Sequence, residues 1–381
     1  MENVWDHHRW EEKPLLIFWE TTKACDLSCI QCRASAIKDP QPGELNLEES
    51  LNFVRSLKDF GKPYPILILS GGDVMKKKNL QEIARELHSE GIRYSISPSA
   101  TDLVTEEKMR YLRDNGMVSV SLSLDGGSPG THDKIRGVTG AFQKTMDIID
   151  LLTGLGIKVQ INTTVMPENV AELPHIFHIL RKKHISAWEM FFLINTGKAS
   201  KLEALDLRKM NDVNKWLVFV SFYGMNIRTV ESPVFRRMQI DYMASGELSG
   251  GEIFESLKKS TINIEGKPGS TKTGPVGTTW DGNGIVFVSH DGKVYPSGFL
   301  PVEVGNIRET PISKIYHNSG VMRLLRDPTN FSGKCSNCAY NGYCPGSRAR
   351  SYNLNGDPFG NDPMCDYDAV HKRYDFTEIF T

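Results

Sequence analysis

Three cysteines lie close together near the start of the chain, in the stretch ETTKACDLSCIQCRAS at residues 20 to 35. Cys25, Cys29 and Cys32 are separated by three and two residues, and no fourth thiol is nearby. A structural zinc site commonly takes four ligands, and a disulfide framework takes an even number of cysteines. Three thiolates instead match a cubane 4Fe-4S cluster whose fourth iron stays open for a substrate or cofactor.

Four more cysteines lie near the other end of the chain: Cys335, Cys338, Cys344 and Cys365. They are separated by two, five and twenty residues. Four thiolates saturate either a zinc ion or a 4Fe-4S cluster, and the spacing alone does not choose between them. All seven cysteines together form an odd total in two distant clusters. This pattern favours metal binding in a reducing compartment over disulfide formation.

The composition excludes several classes of function. The chain has 381 residues, enough for a large core and two domains. Its 45 basic and 46 acidic side chains leave no net field that would attract nucleic acid or an anionic membrane. The first residues, MENVWDHHRWEEK, are polar and unlike a signal peptide, and no apolar run approaches the roughly 18 residues that span a bilayer. We therefore expect a soluble, cytoplasmic protein without nucleic-acid or membrane partners.

The elements that must position the cysteines follow a regular alternation of short apolar strands and amphipathic stretches. Helical patterns such as NLEESLNFVRSLKDFG and NLQEIARELHSEG lie between the strands. Six such units predict an α/β fold with a parallel sheet, either an open doubly wound sheet or a partial barrel. The predicted strands are 14 to 22, 66 to 72, 93 to 100, 119 to 126, 158 to 166 and 187 to 194.

Polar or glycine-rich motifs follow several of these strands: GGD (71 to 73), SPSAT (97 to 101), SLDG (123 to 126) and NTT (162 to 164). The carboxyl ends of parallel strands lie at one edge of a sheet, so these motifs and Cys25 converge on one site. Taken singly, each has an ordinary interpretation. A GGD sequence is usually a tight turn, and an aspartate such as Asp125 often caps a helix.

Together the motifs resemble the radical S-adenosylmethionine (SAM) superfamily over roughly residues 14 to 200. The resemblance rests on the cysteine spacing, on GGD after the second strand, and on SLSLDGGSPGTHDKIRGVTGAF around the fourth. It implies a partial (β/α)6 TIM barrel in which the open iron binds SAM. The implied reaction is reductive cleavage of SAM to a 5'-deoxyadenosyl radical.

The resemblance also implies which residues contact SAM. The glycines of GGD would let backbone approach the methionyl group, with a carbonyl or the aspartate facing its ammonium. The serine and aspartate of SLDG would contact the ribose hydroxyls or the carboxylate side, and the arginine of DKIRG would pair with the carboxylate. The full predicted set is Gly71, Gly72, Asp73, Ser97, Ser123, Asp125, Arg136 and Leu193.

Two positions depart from the usual radical SAM pattern. Most relatives continue the glycine pair with glutamate and proline, whereas this chain has GGDV. An aromatic residue or histidine commonly precedes the third cysteine, and Gln31 stands there instead. We therefore assign Gln31 no role in stacking on adenine.

The C-terminal cysteines resemble the SPASM and Twitch extensions that hold auxiliary iron-sulfur clusters. The full SPASM pattern has two more cysteines, at positions where this chain has Ser297 and Arg348. Both belong to the first auxiliary cluster of that family. The resemblance therefore implies a single auxiliary 4Fe-4S cluster with four cysteine ligands and no open iron, which suits electron transfer. We expect two clusters in total.

Local stretches resemble the branch of the superfamily that contains heme b synthase and the siroheme- and d1 heme-processing enzymes. They include CRASA, WEMFFLINTGKA, VYPSGFLP and CPGSRARSY. This resemblance implies oxidative decarboxylation of a tetrapyrrole propionate, with an electron donor such as ferredoxin or flavodoxin. A peptide maturase is the alternative, although 13 residues before the first strand leave no room for a peptide-binding winged helix. A zinc-stabilised binding protein is the alternative from another class.

The sequence predicts four parts. An N-terminal extension covers residues 1–13, the barrel 14–225, and an auxiliary-cluster domain 281–381. Between the last two, residues 226–280 are predicted to form a linker or lid. This prediction rests on the abundance of Gly, Ser, Thr and Lys from residue 244 to 284.

Overall fold

The computed structural model describes residues 9–269 and 279–367. Seven parallel strands lie side by side in chain order and form the barrel part of one large sheet. All six predicted strands are present. Most end before the predicted carboxyl end, because the trailing residues form the turns of the site. The seven strands are β1 (Leu16–Glu20), β2 (Ile66–Ser70), β3 (Tyr94–Ile96), β4 (Met117–Ser123), β5 (Val159–Val165), β6 (Ala187–Phe192) and β7 (Ile227–Val230).

Helices connect these strands and cover the outer face of the sheet. Their ends follow local signals. At one helix start, for example, the side chain of Asn46 accepts from the backbone N–H of Glu49, and the side chain of Glu49 accepts from the backbone N–H of Asn46. The helices are α1 (Arg9–Glu12), α2 (Leu47–Ser56), α3 (Leu80–Ser89), α4 (Glu106–Asp114), α5 (Pro129–Arg136), α6 (Ala141–Gly154), α7 (Leu173–Lys182), α8 (Leu207–Ser221), α9 (Val234–Ser245), α10 (Glu252–Glu265), α11 (Ile312–Asn318), α12 (Gly320–Arg326), α13 (Gly333–Ser336) and α14 (Arg348–Asn355).

Alternating burial along the strands separates an apolar outer face from a polar inner face. In β5, the apolar residues Val159, Ile161 and Val165 are buried under the helices, while the intervening residues are partly exposed. Those intervening residues include Gln160 and Asn162. Because successive side chains of a strand point to opposite faces, the inner surface of the barrel is lined by polar groups.

The C-terminal part of the chain extends the same sheet. The strand β9 (Gly284–Val288) lies parallel to β1, on the side opposite β2, with Phe287 beside Phe18. The antiparallel strands β10 (Lys293–Tyr295) and β11 (Gly305–Asn306) continue the sheet, and β8 (Trp280–Asp281) pairs with β9. The C-terminal part therefore joins the barrel at the strand that precedes the three-cysteine loop.

The predicted linker or lid at 226–280 differs from the structure. Much of this segment forms β7, α9 and α10, and α10 packs against α7 and α8. Phe254 and Leu257 of α10 are buried, and Asp212 of α8 accepts from the backbone N–H of Gly251 at 2.7 Å. Composition misled the prediction, because most of the polar residues of α10 lie on its exposed face, while its apolar residues pack against the barrel. Residues 270–278 of the segment lie outside the described residues, as do residues 1–8 and 368–381.

In the described part of the chain, no helix combines the length and the apolar character that crossing a bilayer requires.

We expect Phe254→Ala to lower the free energy of unfolding by about 3–5 kcal/mol, because it removes a fully buried ring between α10 and the barrel. Urea denaturation of the holoprotein measures this change. Lys259→Ala, on the exposed face of the same helix, is the matched control and should stay within about 0.5 kcal/mol of the parent. Equal stability of the two variants would mean that α10 does not pack against the barrel through Phe254.

Candidate functional site

The loop that follows β1 carries the first three cysteines to the carboxyl edge of the sheet. Cys25 and Cys29 are buried in one small apolar cluster, and Cys32 packs against it. Burial raises the pKa of the Cys29 thiol, and the nearby Arg136 guanidinium opposes that rise. The structure therefore brings the three predicted thiols together beside a cation that stabilises thiolates.

Backbone hydrogen bonds to neighbouring segments hold this loop in place. The N–H of Ser28 donates to the carbonyl of Arg136 at 3.1 Å, and the N–H of Ile30 donates to the carbonyl of Ile135 at 3.0 Å. Both carbonyls belong to the last turn of α5, where carbonyls have no partner within the helix. The helix end that follows the SLDG motif therefore sets the position of the cysteines.

The glycine pair after β2 packs directly against the cysteine loop. A Cβ atom at Gly72 would lie 2.5 Å from the carbonyl oxygen of Ala24, and a Cβ atom at Gly71 would overlap the backbone of Thr22. Gly71 also has a φ of +139°, which favours glycine. The glycines were predicted for close approach to the methionyl group of SAM. The close approach that the structure displays is between the two loops that form the pocket.

Asp73 organises the turn after β2. Its fully buried carboxylate accepts hydrogen bonds from the N–H of Met75 at 3.0 Å, the N–H of Ser99 at 3.2 Å and the hydroxyl of Thr101 at 3.2 Å. Burial raises the pKa of this carboxyl. These partners hold the carboxylate in place, and contact of the SAM ammonium with a carbonyl or with Asp73 stays a prediction.

The SPSAT turn contributes a contact that the sequence analysis missed. The hydroxyl of Ser99 lies 3.2 Å from the sulfur of Cys25. Ser97, the residue predicted from this motif, is partly exposed at the end of β3, and its N–H donates to the carbonyl of Leu69 at 2.8 Å. The side chain two residues after Ser97 therefore contacts the cysteine, and the role of Ser97 toward SAM stays a prediction.

Asp125 and Arg136 form a buried ion pair next to the cysteine loop. Arg136 Nη1 lies 3.2 Å from Asp125 Oδ2, and Asp125 is only 1% exposed. Asp125 also accepts from the side-chain amide of Gln31 at 2.9 Å and from the N–H of Thr164 at 2.8 Å. Both residues were predicted to contact SAM. They lie beside the cysteine loop, and their roles toward SAM stay predictions.

Gln31 has an unsatisfied acceptor at this site. Its Oε1 atom is buried and has no hydrogen-bond partner among the described residues. A buried acceptor without a partner costs free energy that a donor from a ligand would recover. A hydroxyl or amino group of SAM would supply that donor beside Cys32, so the residues present fit the cofactor. Gln31 is therefore a candidate polar contact.

The two remaining predicted residues lie at strand ends. Ser123 is the last residue of β4 and is partly exposed. Leu193 follows β6 and packs in an apolar cluster with Ile135, Met166 and Ala199. Ser123 is therefore accessible to a ligand at the carboxyl edge, whereas Leu193 mainly supports the end of α5.

The four C-terminal cysteines line one small cavity together with Arg237 and Tyr367, among others. Burial raises the pKa of Cys344 to about 12. In the described part of the chain, no three His, Cys, Asp or Glu side chains converge on a single metal-ion position. The donor set of four thiols around a common cavity fits an iron-sulfur cluster. The cysteines of this set are Cys335, Cys338, Cys344 and Cys365.

The two positions where the fuller SPASM pattern has cysteines carry structural side chains here. The hydroxyl of Ser297 accepts from the N–H of Phe299 at 3.2 Å and from that of Leu300 at 3.3 Å. Arg348 is fully buried, and its Nη2 lies 3.7 Å from the sulfur of Cys335. Arg348 therefore contacts the remaining cysteine set.

The arginine after the third cysteine connects the cysteine loop to the C-terminal part. Arg33 Nη2 lies 2.8 Å from Glu20 Oε2, and Nη1 donates to the carbonyl of Gly298 at 3.2 Å. Its guanidinium lies 4.6 Å from the centre of the Phe287 ring. Glu20 Oε1 is also 2.9 Å from Nδ1 of His290, which follows β9. No spacing in the sequence indicated this network, because its members come from distant segments.

Comparisons with known proteins agree with this geometry. A model of the radical SAM superfamily matches residues 19–180, and one of an iron-sulfur cluster-binding domain matches residues 280–339. The AdoMet-dependent heme synthase of Oleidesulfovibrio alaskensis is 34% identical, over 94% of this chain and 88% of its own. The AdoMet-dependent heme synthase of Methanosarcina barkeri is 35% identical, over 93% of this chain and 97% of its own. The crystal structure of Streptococcus suis SuiB bound to S-adenosylmethionine has a TM-score of 0.67 at 14% identity, covering 93% of this chain and 77% of that one.

Replacing Cys25, Cys29 and Cys32 with alanine should leave roughly half of the iron and abolish production of 5'-deoxyadenosine, because the four C-terminal thiols leave no iron open for SAM. Iron analysis of anaerobically prepared protein and a SAM cleavage assay under dithionite measure both effects. Cleavage of SAM by the triple variant would refute the assignment.

Gly72→Ala should displace the cysteine loop, because the added Cβ would lie 2.5 Å from the carbonyl oxygen of Ala24. Overpacking of this kind costs about 1–3 kcal/mol. We expect less iron at the first site and slower SAM cleavage. Gly130→Ala is the control, since a Cβ there meets nothing within 4 Å. Full iron content and normal cleavage in Gly72→Ala would contradict the packing argument.

Proposed function

Because the chain belongs to the radical SAM superfamily, we propose that it catalyses oxidative decarboxylation of tetrapyrrole propionate side chains in heme-type biosynthesis. The observation that carries this proposal is the similarity, along almost the whole chain, to AdoMet-dependent heme synthases. The presence of two cysteine sites supports it, because the reaction needs one site that generates a radical and one that accepts an electron.

The proposed reaction balances as follows. When bound, the first cluster supplies the electron that cleaves SAM to methionine and a 5'-deoxyadenosyl radical, and the auxiliary cluster accepts one electron. The propionate loses a hydrogen atom from its β-carbon to that radical, which becomes 5'-deoxyadenosine. The carboxylate carbon then leaves as carbon dioxide, one electron is released, and a vinyl group remains. A donor of the ferredoxin or flavodoxin class supplies the first electron.

The inner face of the barrel suits an anionic substrate. Glu189 lies on the inner face of β6, where Gln160 donates to its carboxylate at 2.9 Å. Burial raises the pKa of Glu189, against the opposing effects of Arg228 and of the hydrogen bond from Gln160. Arg33, in the cysteine loop that follows β1, is a cation near the carboxyl end of that strand, where it pairs with Glu20.

The proposed auxiliary cluster has four cysteine ligands, so it has no open iron for the substrate. It can then act on the reaction only by accepting or supplying electrons. An oxidative decarboxylation leaves one electron, whereas a redox-neutral rearrangement leaves none. The ligand set therefore supports an oxidative reaction.

A variant with Cys338→Ala and Cys344→Ala should keep SAM cleavage and lose substrate turnover, because the electron from the substrate radical has no acceptor. Ser336→Ala, at a partly exposed neighbouring position, is the control and should behave as the parent. The assay follows carbon dioxide and vinyl products by mass spectrometry, with iron-coproporphyrin III as substrate.

Binding can be tested first, by titrating iron-coproporphyrin III and following its absorption band. A spectral shift without turnover in the double variant would agree with the proposal. No shift and no carbon dioxide with any tetrapyrrole, alongside modification of a peptide, would instead support a maturase. Zinc at both cysteine sites, without iron or sulfide, would support a binding protein.

A further inference from the structure

We propose that Arg237 raises the reduction potential of the auxiliary cluster by directing its Nε–H and its positive charge at that cluster. This inference rests on the proposed cluster at the four C-terminal cysteines, and it does not depend on the identity of the substrate. Arg237 lies on α9, which leads away from the last strand of the barrel. Arg237 would act on the reaction only through the cluster, by changing the reduction potential that governs electron transfer.

Arg237 reaches the cysteine cavity from outside the C-terminal part of the chain. Its side chain is buried and lines the same cavity as the four thiols. The guanidinium is therefore close enough to the thiols for its field to act on them.

The three guanidinium nitrogens of Arg237 differ in their hydrogen-bond partners. Nη1 lies 3.2 Å from Asp241 Oδ2 and Nη2 lies 3.4 Å from Asp366 Oδ1. The Nε atom is buried and has no hydrogen-bond partner among the described residues. Leaving a charged donor unsatisfied in a buried site is costly. A sulfur of a cluster in the cavity would accept this hydrogen bond.

The side chain is held in this orientation by its other contacts. The two carboxylates bind its Nη atoms, and the ring of Tyr367 lies 5.1 Å from the guanidinium carbon. Asp241 and Asp366 are 34% and 54% exposed, whereas the Arg237 side chain is 10% exposed. Water screens the carboxylates more than the guanidinium. Arg237 therefore presents its positive charge to the cavity from a more buried position than either carboxylate.

A positive field at this position has a definite effect on the cluster. Reduction adds one negative charge to a cluster that already carries four thiolates. A nearby cation and a hydrogen bond to sulfur both stabilise the reduced form more than the oxidised form, and hydrogen bonds to sulfur are known to set cluster potentials. The cluster becomes a better electron acceptor, which is the role proposed for it above.

Other cations contribute less directly. Arg348 Nη2 lies 3.7 Å from the sulfur of Cys335, but the same guanidinium also donates to the carbonyl of Gly360 at 2.7 Å. Lys334 donates to the backbone carbonyl of Cys365. Both are already bound to carbonyl oxygens, whereas Arg237 lines the cavity with a donor that has no partner among the described residues.

The test is a redox titration of the holoenzyme, followed by electron paramagnetic resonance, without substrate. Arg237→Gln should lower the equilibrium constant for reduction of the auxiliary cluster at least about tenfold, which is about 59 mV for a one-electron couple. Arg237→Lys keeps the charge but loses the Nε donor, so its potential should fall between those of Arg237→Gln and the parent. The SAM-binding cluster should keep its potential in every variant and serves as an internal reference.

Two further variants make the result specific. Asp366→Asn removes a negative charge from the partner of Arg237 and should raise the auxiliary potential, opposite to Arg237→Gln. Arg323→Gln, at an exposed position of α12, should change nothing. If the Arg237→Gln protein does not incorporate the auxiliary cluster, the potentials of the Arg237→Lys and Asp366→Asn proteins still test the inference.

Equal auxiliary potentials in the parent, Arg237→Gln and Arg237→Lys would overturn the inference. The absence of any auxiliary signal, with zinc in its place, would overturn both this inference and the proposed electron acceptor. If Arg237→Gln shifts the auxiliary potential as expected but the parent turns over no tetrapyrrole, the inference about Arg237 stands. Only the proposed substrate is then refuted.

Discussion

The position of the three-cysteine loop depends on close contact between backbones. The loop has little regular structure of its own, so its N–H groups need partners outside it, and those of Ser28 and Ile30 bond to the end of α5. Gly72 packs against it from the turn after β2, and Gly197 packs against the backbone of Arg33 from the segment after β6. Segments after three different strands therefore fix one loop. A first cluster can be held correctly only when the barrel has closed around it.

The C-terminal part contacts the barrel at both of its edges. At one edge β9 pairs with β1, and Arg33 joins the cysteine loop to Gly298. At the other edge Ser347 donates to Glu231, which directly follows β7, and α9 contributes Arg237 to the second cysteine site. The two cysteine sites are therefore parts of one framework. In the reaction that we propose, an electron that leaves the barrel interior would pass through packed protein rather than through a flexible linker.

Much of the barrel could be predicted from the sequence, because its signals are local. Apolar runs of strand length and the spacing of the cysteines act over a few residues, and all six strands and both cysteine sets followed from them. The pairing of β9 with β1 could not be predicted, since no periodicity links residues so far apart. For the same reason, the sequence did not predict that Arg237 lines the second cysteine site or that Ser99 and Thr101 bond to the carboxylate of Asp73. Composition failed at α10, because it describes the exposed face and not the buried positions Phe254 and Leu257.

Two residues that replace cysteines of the fuller SPASM pattern make hydrogen bonds and packing contacts in the C-terminal part. In a protein with two auxiliary clusters, metal ligation would cross-link this segment at both positions. Here the hydroxyl of Ser297 holds its own turn, and Arg348 bonds to the carbonyls of Pro358 and Gly360 while its guanidinium lies 4.5 Å from the Phe331 ring. Hydrogen bonds and packing thus take over a structural task of the absent ligands. Arg348 also adds a positive charge next to Cys335, which a neutral replacement would not do. The substitution therefore supports the fold and favours the reduced form of the cluster that we propose at the remaining four cysteines.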